Sequence, residues 1–321
     1  MAAYLPSAEP RRYLYDLVAD YPSRGGRAMR PSLCIATARA FGGTLERALL
    51  TAVSIELFHN ALLIHDDIED ESELRRGKPT LNSLYGVPMA VNIGDALTVL
   101  SMRPLFDNLG TLGARLTMRI VLETERMARE SAEGQALELG WRLDNKSDVS
   151  EPDYLEMVLK KTCWLASIHP MRTGALIATH GACDPDPFIR YGFFMGAAFQ
   201  IQDDLLNLWG DEVRYGKELG GDLYEGKRTL MLIHLFGQAS PAERERLTRL
   251  LAVPRADKPE ADVRWLRGLM DSYGCMEYAR SVANGLSGAA TVELCRIFKG
   301  MPSSRDRDFL EALAEWVIER S

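Results

Sequence analysis

Two apolar helical stretches of this chain each run into a cluster of carboxylates, and this conflict constrains the fold more than any other feature. Leu62 to Asp70 reads LLIHDDIED, and Phe199 to Asn207 reads FQIQDDLLN. Asp66 and Asp70 are four apart and Asp67 and Asp70 three apart, so a helix over Thr44–Asp70 places them on one face at its C-terminal end. Like charges at that spacing repel, and negative charge at a helix C-terminus opposes the helix dipole. Asp203 and Asp204, embedded in YGFFMGAAFQIQDD, are costly to bury unless they bind a cation. Carboxylate oxygens are hard ligands, suited to magnesium shared with a phosphate. The two clusters hint at a pseudo-symmetric pair of helices.

Helical periodicity continues along the chain. It predicts helices over Arg11–Ala19, Pro31–Phe41, Thr44–Asp70, Met89–Leu109, Leu112–Leu139, Glu151–Thr179, Pro187–Trp209, Leu230–Phe236 and Pro241–Leu251, with several more toward Val317. Ser150, Pro152 and Asp153 form a sound helix start. Strand-like alternation is nearly absent. The expected fold class is all-α, a helical bundle around a central cavity, with residues 1–321 as a single domain. There is no linker, low-complexity segment or repeat of fixed period.

At 46% hydrophobic and 26% charged residues, the composition suits a globular chain with a large core. A formal charge of −7 argues against a nucleic-acid-binding surface. No apolar run reaches the length of a membrane span, and the N-terminus MAAYLPSAEPRR has no apolar signal region, so a cytoplasmic protein without a membrane anchor is expected. Cys34, Cys163, Cys183, Cys275 and Cys295 are scattered without CxxC spacing, which fits reduced thiols rather than a zinc site.

Basic motifs accompany the acidic ones. Arg75 and Arg76 follow the first cluster, and guanidinium groups bind phosphate oxygens in a planar fork. Gly25-Gly26-Arg27-Ala28-Met29-Arg30-Pro31 combines close backbone approach with two arginines able to hold an anion. Lys160-Lys161-Thr162 sits mid-helix between apolar stretches. Arg214 to Thr229, RYGKELGGDLYEGKRT, reads as a mobile loop whose Lys217, Lys227 and Arg228 could close on phosphate. Each motif alone has a plainer reading: a solvated helix end, surface arginines near a turn, or a lysine snorkelling to solvent. His59 lies a turn and a half before the first cluster; His65, His169, His180 and His234 carry no assignment.

Taken in order, these pieces resemble the trans-isoprenyl diphosphate synthases, or polyprenyl synthetases. The resemblance runs from Gly25 to about Leu232 and rests on GGRAMRP, DDIED, LRRGKPT, NIGDAL, Lys161-Thr162, FQIQDD and GKELGGDLYEGKRTL. HNALLIHDDIEDESELRRG is close in motif to geranylgeranyl diphosphate synthases. The resemblance implies an isoprenoid synthase-type helical bundle. It implies that Asp66, Asp67, Asp70 and, opposite, Asp203 hold three magnesium ions on an allylic diphosphate, with Asp204 and Asn207 in support. Arg75, Lys161, Thr162, Gln200, Lys217 and Lys227 would contact the same diphosphate. Arg27, Arg30, His59 and Arg76 would hold isopentenyl diphosphate. The implied reaction ionises the allylic diphosphate in a water-excluded cavity, joins the carbocation to isopentenyl diphosphate and loses a proton, with no protein nucleophile. The family usually forms homodimers, so a homodimer is expected. The chain departs from the family pattern at Arg27 for lysine, Ala28 for arginine, Asn207 for aspartate, and Cys163-Trp164 after Lys161-Thr162.

Product length should be legible on the helix before the first cluster. Ala61, five before Asp66, leaves the tail's path open, and Phe58 lies about one turn deeper. The expected floor is Phe58 and the expected product geranylgeranyl diphosphate; Val99 or Met102 could instead shorten the cavity. Two other readings remain open: a class I terpene cyclase on the same fold, which would not need the isopentenyl site, and a non-catalytic partner subunit, which would usually lose an aspartate motif.

Overall fold

A computed structural model describes residues 1–209 and 220–319 of the chain, and helices dominate it. The long elements are α1 (Met29–Ala40), α2 (Leu45–Glu69), α3 (Val87–Ser101), α4 (Ala114–Leu143), α5 (Glu151–Val158), α6 (His169–Ala178) and α7 (Pro187–Trp209). After the short α8 (Gly221–Glu225) come α9 (Leu230–Gln238), α10 (Pro241–Leu251), α11 (Glu260–Ser272), α12 (Cys275–Ile297) and α13 (Arg305–Glu319). The strands among the described residues are β1 (Leu74–Arg75) and β2 (Lys78–Pro79), an antiparallel hairpin. Arg76 and Gly77 both have positive φ, as a two-residue type I′ turn demands.

Prolines account for two places where an expected helix departs from regular α-helix. The Met89–Leu109 stretch breaks after Ser101 into α3 and two short helices, Arg103–Asp107 and Leu109–Leu112. Pro104 has no N–H to donate and its ring crowds the preceding turn. The Glu151–Thr179 stretch is continuous, but Leu159–Ile168 between α5 and α6 is π-helical. Pro170 cannot donate to the carbonyl of Ala166, and a widened turn relieves that clash. Ser150 caps α5 through the expected capping box with Asp153.

α2 packs on α3 through one face and on α1 through another, while α7 packs against α12 and against the π-helical run. α4 lies beside that same run. The approach is close at Gly134, where a Cβ would stand 2.7 Å from Lys161 Cα and 2.8 Å from the carbonyl carbon of Lys160. The largest buried cluster joins α4, the π-helical run, α7 and the elements from α9 to α12, including Met127, Trp164, Leu165 and Ile201. A second, with Leu57, Ala61, Ile64, Ile93 and Leu97, fills the seam between α2 and α3.

One expectation needs correcting here. By length and composition, α2 is apolar enough to cross a membrane. Its apolar stretch is 56% buried within the bundle, and Asp66, Asp67 and Glu69 close its C-terminal end. The hydrophobicity of α2 follows from its being packed on several sides.

Candidate active site

α2, α4, the π-helical run, α7 and α8 surround a cavity of about 740 Å³. Twelve of the residues singled out from the sequence line it: Arg30, His59, Asp66, Arg75, Arg76, Lys161, Thr162, Gln200, Asp203, Asp204, Lys227 and Arg228. Leu62, Leu63, Met157, Leu165 and Phe199 supply apolar wall.

The first acidic cluster divides among different partners. Asp66 opens on the cavity, 3.0 Å from Arg75 Nη2 and 3.8 Å from Lys161 Nζ. Asp67, fully buried, accepts from Arg75 Nε at 2.8 Å, again from Arg75 Nη2, and from the Tyr21 hydroxyl at 2.5 Å. Burial opposes the charge on Arg75, but Asp67 and Asp66 outweigh it and hold the guanidinium above its ordinary pKa. Asp70 is also buried and is held by Arg142 at 3.0 Å and Lys227 at 2.6 Å. The three expected carboxylates therefore share one helix end but meet different partners. Asp66 faces the cavity, whereas Asp67 and Asp70 are enclosed in ion pairs with Arg75 of the β-hairpin, Arg142 of α4 and Lys227.

Lysines meet the acids on the opposite wall. Lys161 is ion-paired with Glu138; burial disfavours its charge, but Glu138 and then Asp66 hold it above the ordinary lysine value. Lys227 bridges Asp70, Glu225 at 2.9 Å and Asp222 at 3.5 Å. On α7, Asp204 accepts from Gln200 Nε2 at 2.7 Å and from the Tyr154 hydroxyl at 3.1 Å, and Gln200 Oε1 accepts from Thr162 at 2.8 Å. Burial and then the charge of Asp222 push the Asp204 carboxyl well above the usual carboxylate range.

A separate basic corner forms where α1 meets α2. Arg30 Nη1 lies 3.2 Å from His59 Nε2. Burial, then Arg30, holds His59 far below its ordinary pKa, so the imidazole is neutral. A guanidinium can only donate, which fixes Nε2 as the acceptor. Burial lowers Arg30 to about 10 despite Glu56 and Asp203 nearby, and its Nε is buried without a hydrogen-bond partner. Arg76, held by the Gly25 carbonyl, completes the corner.

Several expected residues lie elsewhere. Arg27 is exposed and stacks on Trp316, 5.1 Å from the ring centre, away from the cavity. Asn207 is buried and anchors α8, accepting from Asp222 N at 3.1 Å. Ala61 is buried in the α2–α3 seam, about 100° around the helix from Leu62, which lines the cavity. Phe58, half-buried, packs on the cluster containing Met127 and Leu165, one turn below Leu62. Val99 and Met102 are exposed, so neither limits the cavity. Lys217 lies outside the described residues. Sequence reasoning missed Glu138, Tyr154, Asp222 and Arg142. Gly134 and Glu138 in EGQALELG, with a glycine set for close helix contact, and Asp222 inside an already marked loop were the available signals.

Among the described residues, no three His, Cys, Asp or Glu side chains are arranged to hold a metal ion by themselves. The donor chemistry nevertheless fits a hard divalent ion whose remaining ligands come from a phosphate. Asp66, Asp203, Asp204 and Asp222 all open on the cavity, and burial and like charge weigh on Asp204.

The family model described as "Polyprenyl synthetase" matches residues 11–270. The chain is 34% identical to a "Short chain isoprenyl diphosphate synthase" of Methanothermobacter thermautotrophicus, over 92% of this chain and 87% of the relative. It is 30% identical to the "Octaprenyl diphosphate synthase" of Escherichia coli, over 93% and 87%. The crystal structure of "geranylgeranyl pyrophosphate synthetase" from Pyrococcus horikoshii superposes with a TM-score of 0.83 at 32% identity, covering 99% of this chain and 93% of that one. The helical isoprenoid synthase fold, the acid-lined cavity and these likenesses agree: the chain belongs to the polyprenyl synthetase family of prenyltransferases.

Proposed function

We propose that this chain, as one domain over residues 1–321, joins isopentenyl diphosphate head-to-tail to an allylic diphosphate and makes mainly geranylgeranyl diphosphate. One observation carries the reading. Both acidic clusters open on a single cavity, through Asp66 and Asp203-Asp204, and that cavity has two distinct cationic regions and an apolar wall.

Asp66, Asp203 and Asp204 would hold magnesium, proposed as three ions, with Asp222 near enough to contribute. Bound there, magnesium supplies the positive charge that stabilises a departing diphosphate. Arg75, Lys161 and Lys227 neutralise the same leaving group from the protein side. Arg30, Arg76 and neutral His59 hold the second diphosphate, with the unpartnered Arg30 Nε as a ready donor. Thr162 and Gln200, already hydrogen-bonded to each other, place oxygen dipoles beside the developing carbocation. Leu62, Leu165 and Phe199 exclude water from it. The proton lost after carbon–carbon bonding passes to the released diphosphate.

Phe58, one turn beneath Leu62, is the proposed limit on chain length. The test is product analysis of the purified protein with magnesium, isopentenyl diphosphate and each of dimethylallyl, geranyl and farnesyl diphosphate. A linear twenty-carbon alcohol after phosphatase treatment is expected, with longer chains from Phe58→Ala. Mainly fifteen-carbon product from the wild type would refute the floor. A cyclic hydrocarbon formed without isopentenyl diphosphate would move the chain to the cyclases.

A homodimer is also proposed. Val99 is 70% exposed, and Met118 and Leu122 are 59% exposed, on the outward faces of α3 and α4. A second copy of the chain is the occupant those apolar side chains suit. Sedimentation at micromolar concentration should show twice the chain mass; a monomer would count against it.

A further inference from the structure

We propose that the hydrocarbon channel ends on a polar floor formed by Thr124 of α4 and His169 at the start of α6, which together with Phe58 sets product length. This rests on the prenyl-transfer reading above.

The layering of the wall places the floor. α4 and the run from Lys161 to Ala178 pass in opposite directions. Glu138 meets Lys161 at the acid end, Gly134 abuts the Lys161 backbone, and farther along Thr124 Oγ1 lies 3.1 Å from His169 Nε2. Beyond that, Leu116 and Ile120 join Leu176 and Ile177 in a closed apolar cluster. The cavity is lined by Ala128 on α4, Leu165 on the π-helical run and Leu62 on α2. Thr124, His169 and Phe58 each follow one of these by about a turn, all away from the aspartates. All three wall lines therefore step by about one turn in the same direction, beyond the residues that line the cavity.

The chemistry of that layer suits a stop. Thr124 donates its hydroxyl proton to the Ile120 carbonyl at 2.9 Å, so toward His169 its oxygen accepts and Nε2 carries the hydrogen. His169 Nδ1 is then an acceptor, fully buried and without a partner. Burial and Arg172 lower this imidazole to about 3, which keeps it neutral. Behind it, Arg172 is buried and held by both Glu123 oxygens, at 2.7 and 2.9 Å, and by Asp186 at 2.9 Å. An alkyl tail can push aside a leucine rotamer. It cannot separate Thr124 from His169 without leaving further buried polar atoms unpaired.

The experiment is product analysis of full-length Thr124→Ala and His169→Ala with magnesium, isopentenyl diphosphate and farnesyl diphosphate. Each is expected to move the main product up by at least one isoprene unit, with isopentenyl incorporation within about threefold of wild type. Thr124→Ser, which keeps the hydroxyl, should retain wild-type length. If His169→Ala does not fold, as judged by circular dichroism, Thr124→Ala carries the test. Unchanged chain length in folded Thr124→Ala overturns the proposal while the prenyl-transfer reading stands. No incorporation by wild-type protein overturns both.

Discussion

Replacing Asp66 by alanine is expected to lower kcat by about 10³-fold and to change thermal stability little. The size follows from the loss of one preorganised electrostatic contact to a leaving group, typically about 10²–10³ in rate, with impaired metal binding added. The stability should hold because the neighbours keep other partners: Arg75 retains Asp67, and Lys161 retains Glu138. Asp66 also sits at the cavity wall, where truncation opens no sealed void. Turnover at saturating magnesium and substrates, read beside a melting curve, checks both halves. Activity within tenfold of wild type would remove Asp66 from the proposed metal site.

Asp67→Ala should behave in the opposite way, although the two aspartates are adjacent. Its carboxylate is fully buried and satisfies Arg75 through two nitrogens and Tyr21 through its hydroxyl. Removing one partner of a buried pair leaves the other desolvated without compensation, a loss of about 3–5 kcal/mol. Arg75 keeps its contact to Asp66, which places the expectation near the lower end. Urea unfolding measures it as a fall in midpoint with the slope unchanged. Asp67→Asn, which retains an acceptor oxygen, should lose less. A wild-type midpoint for Asp67→Ala would mean that the Arg75 pair contributes nothing and that Asp67 is free for a ligand.

This pair of neighbours shows how far residue spacing alone makes the site legible. Spacing placed Asp66, Asp67 and Asp70 on one helix end, and they are there. Spacing says nothing of what stands opposite each carboxylate. Tyr21 comes from 46 residues away and Lys227 from 157 residues away. Likewise, Ala61 and Leu62 are equally plausible wall residues in sequence; the packing of α2 on α3 turned one into the seam and the other into the cavity. Arg27 and Arg30, three apart, parted company because Ala28 adopts a left-handed conformation, φ 46°, just before α1 begins.

What the sequence by itself determined was local or periodic: the helical class, the capped start at Ser150, and the carboxylate pairs that an apolar helix cannot carry without a cation. Those follow from backbone sterics, periodicity and the cost of burying charge, which need no knowledge of distant partners. Only the tertiary structure decided which carboxylates face the cavity, which lysine meets which acid, that Glu138, Tyr154 and Asp222 belong to the site, and that Thr124 and His169 lie beneath it. Those depend on contacts between residues far apart in the chain. Their energies are set by desolvation and by the distance between charges, and neither exists until the helices have packed.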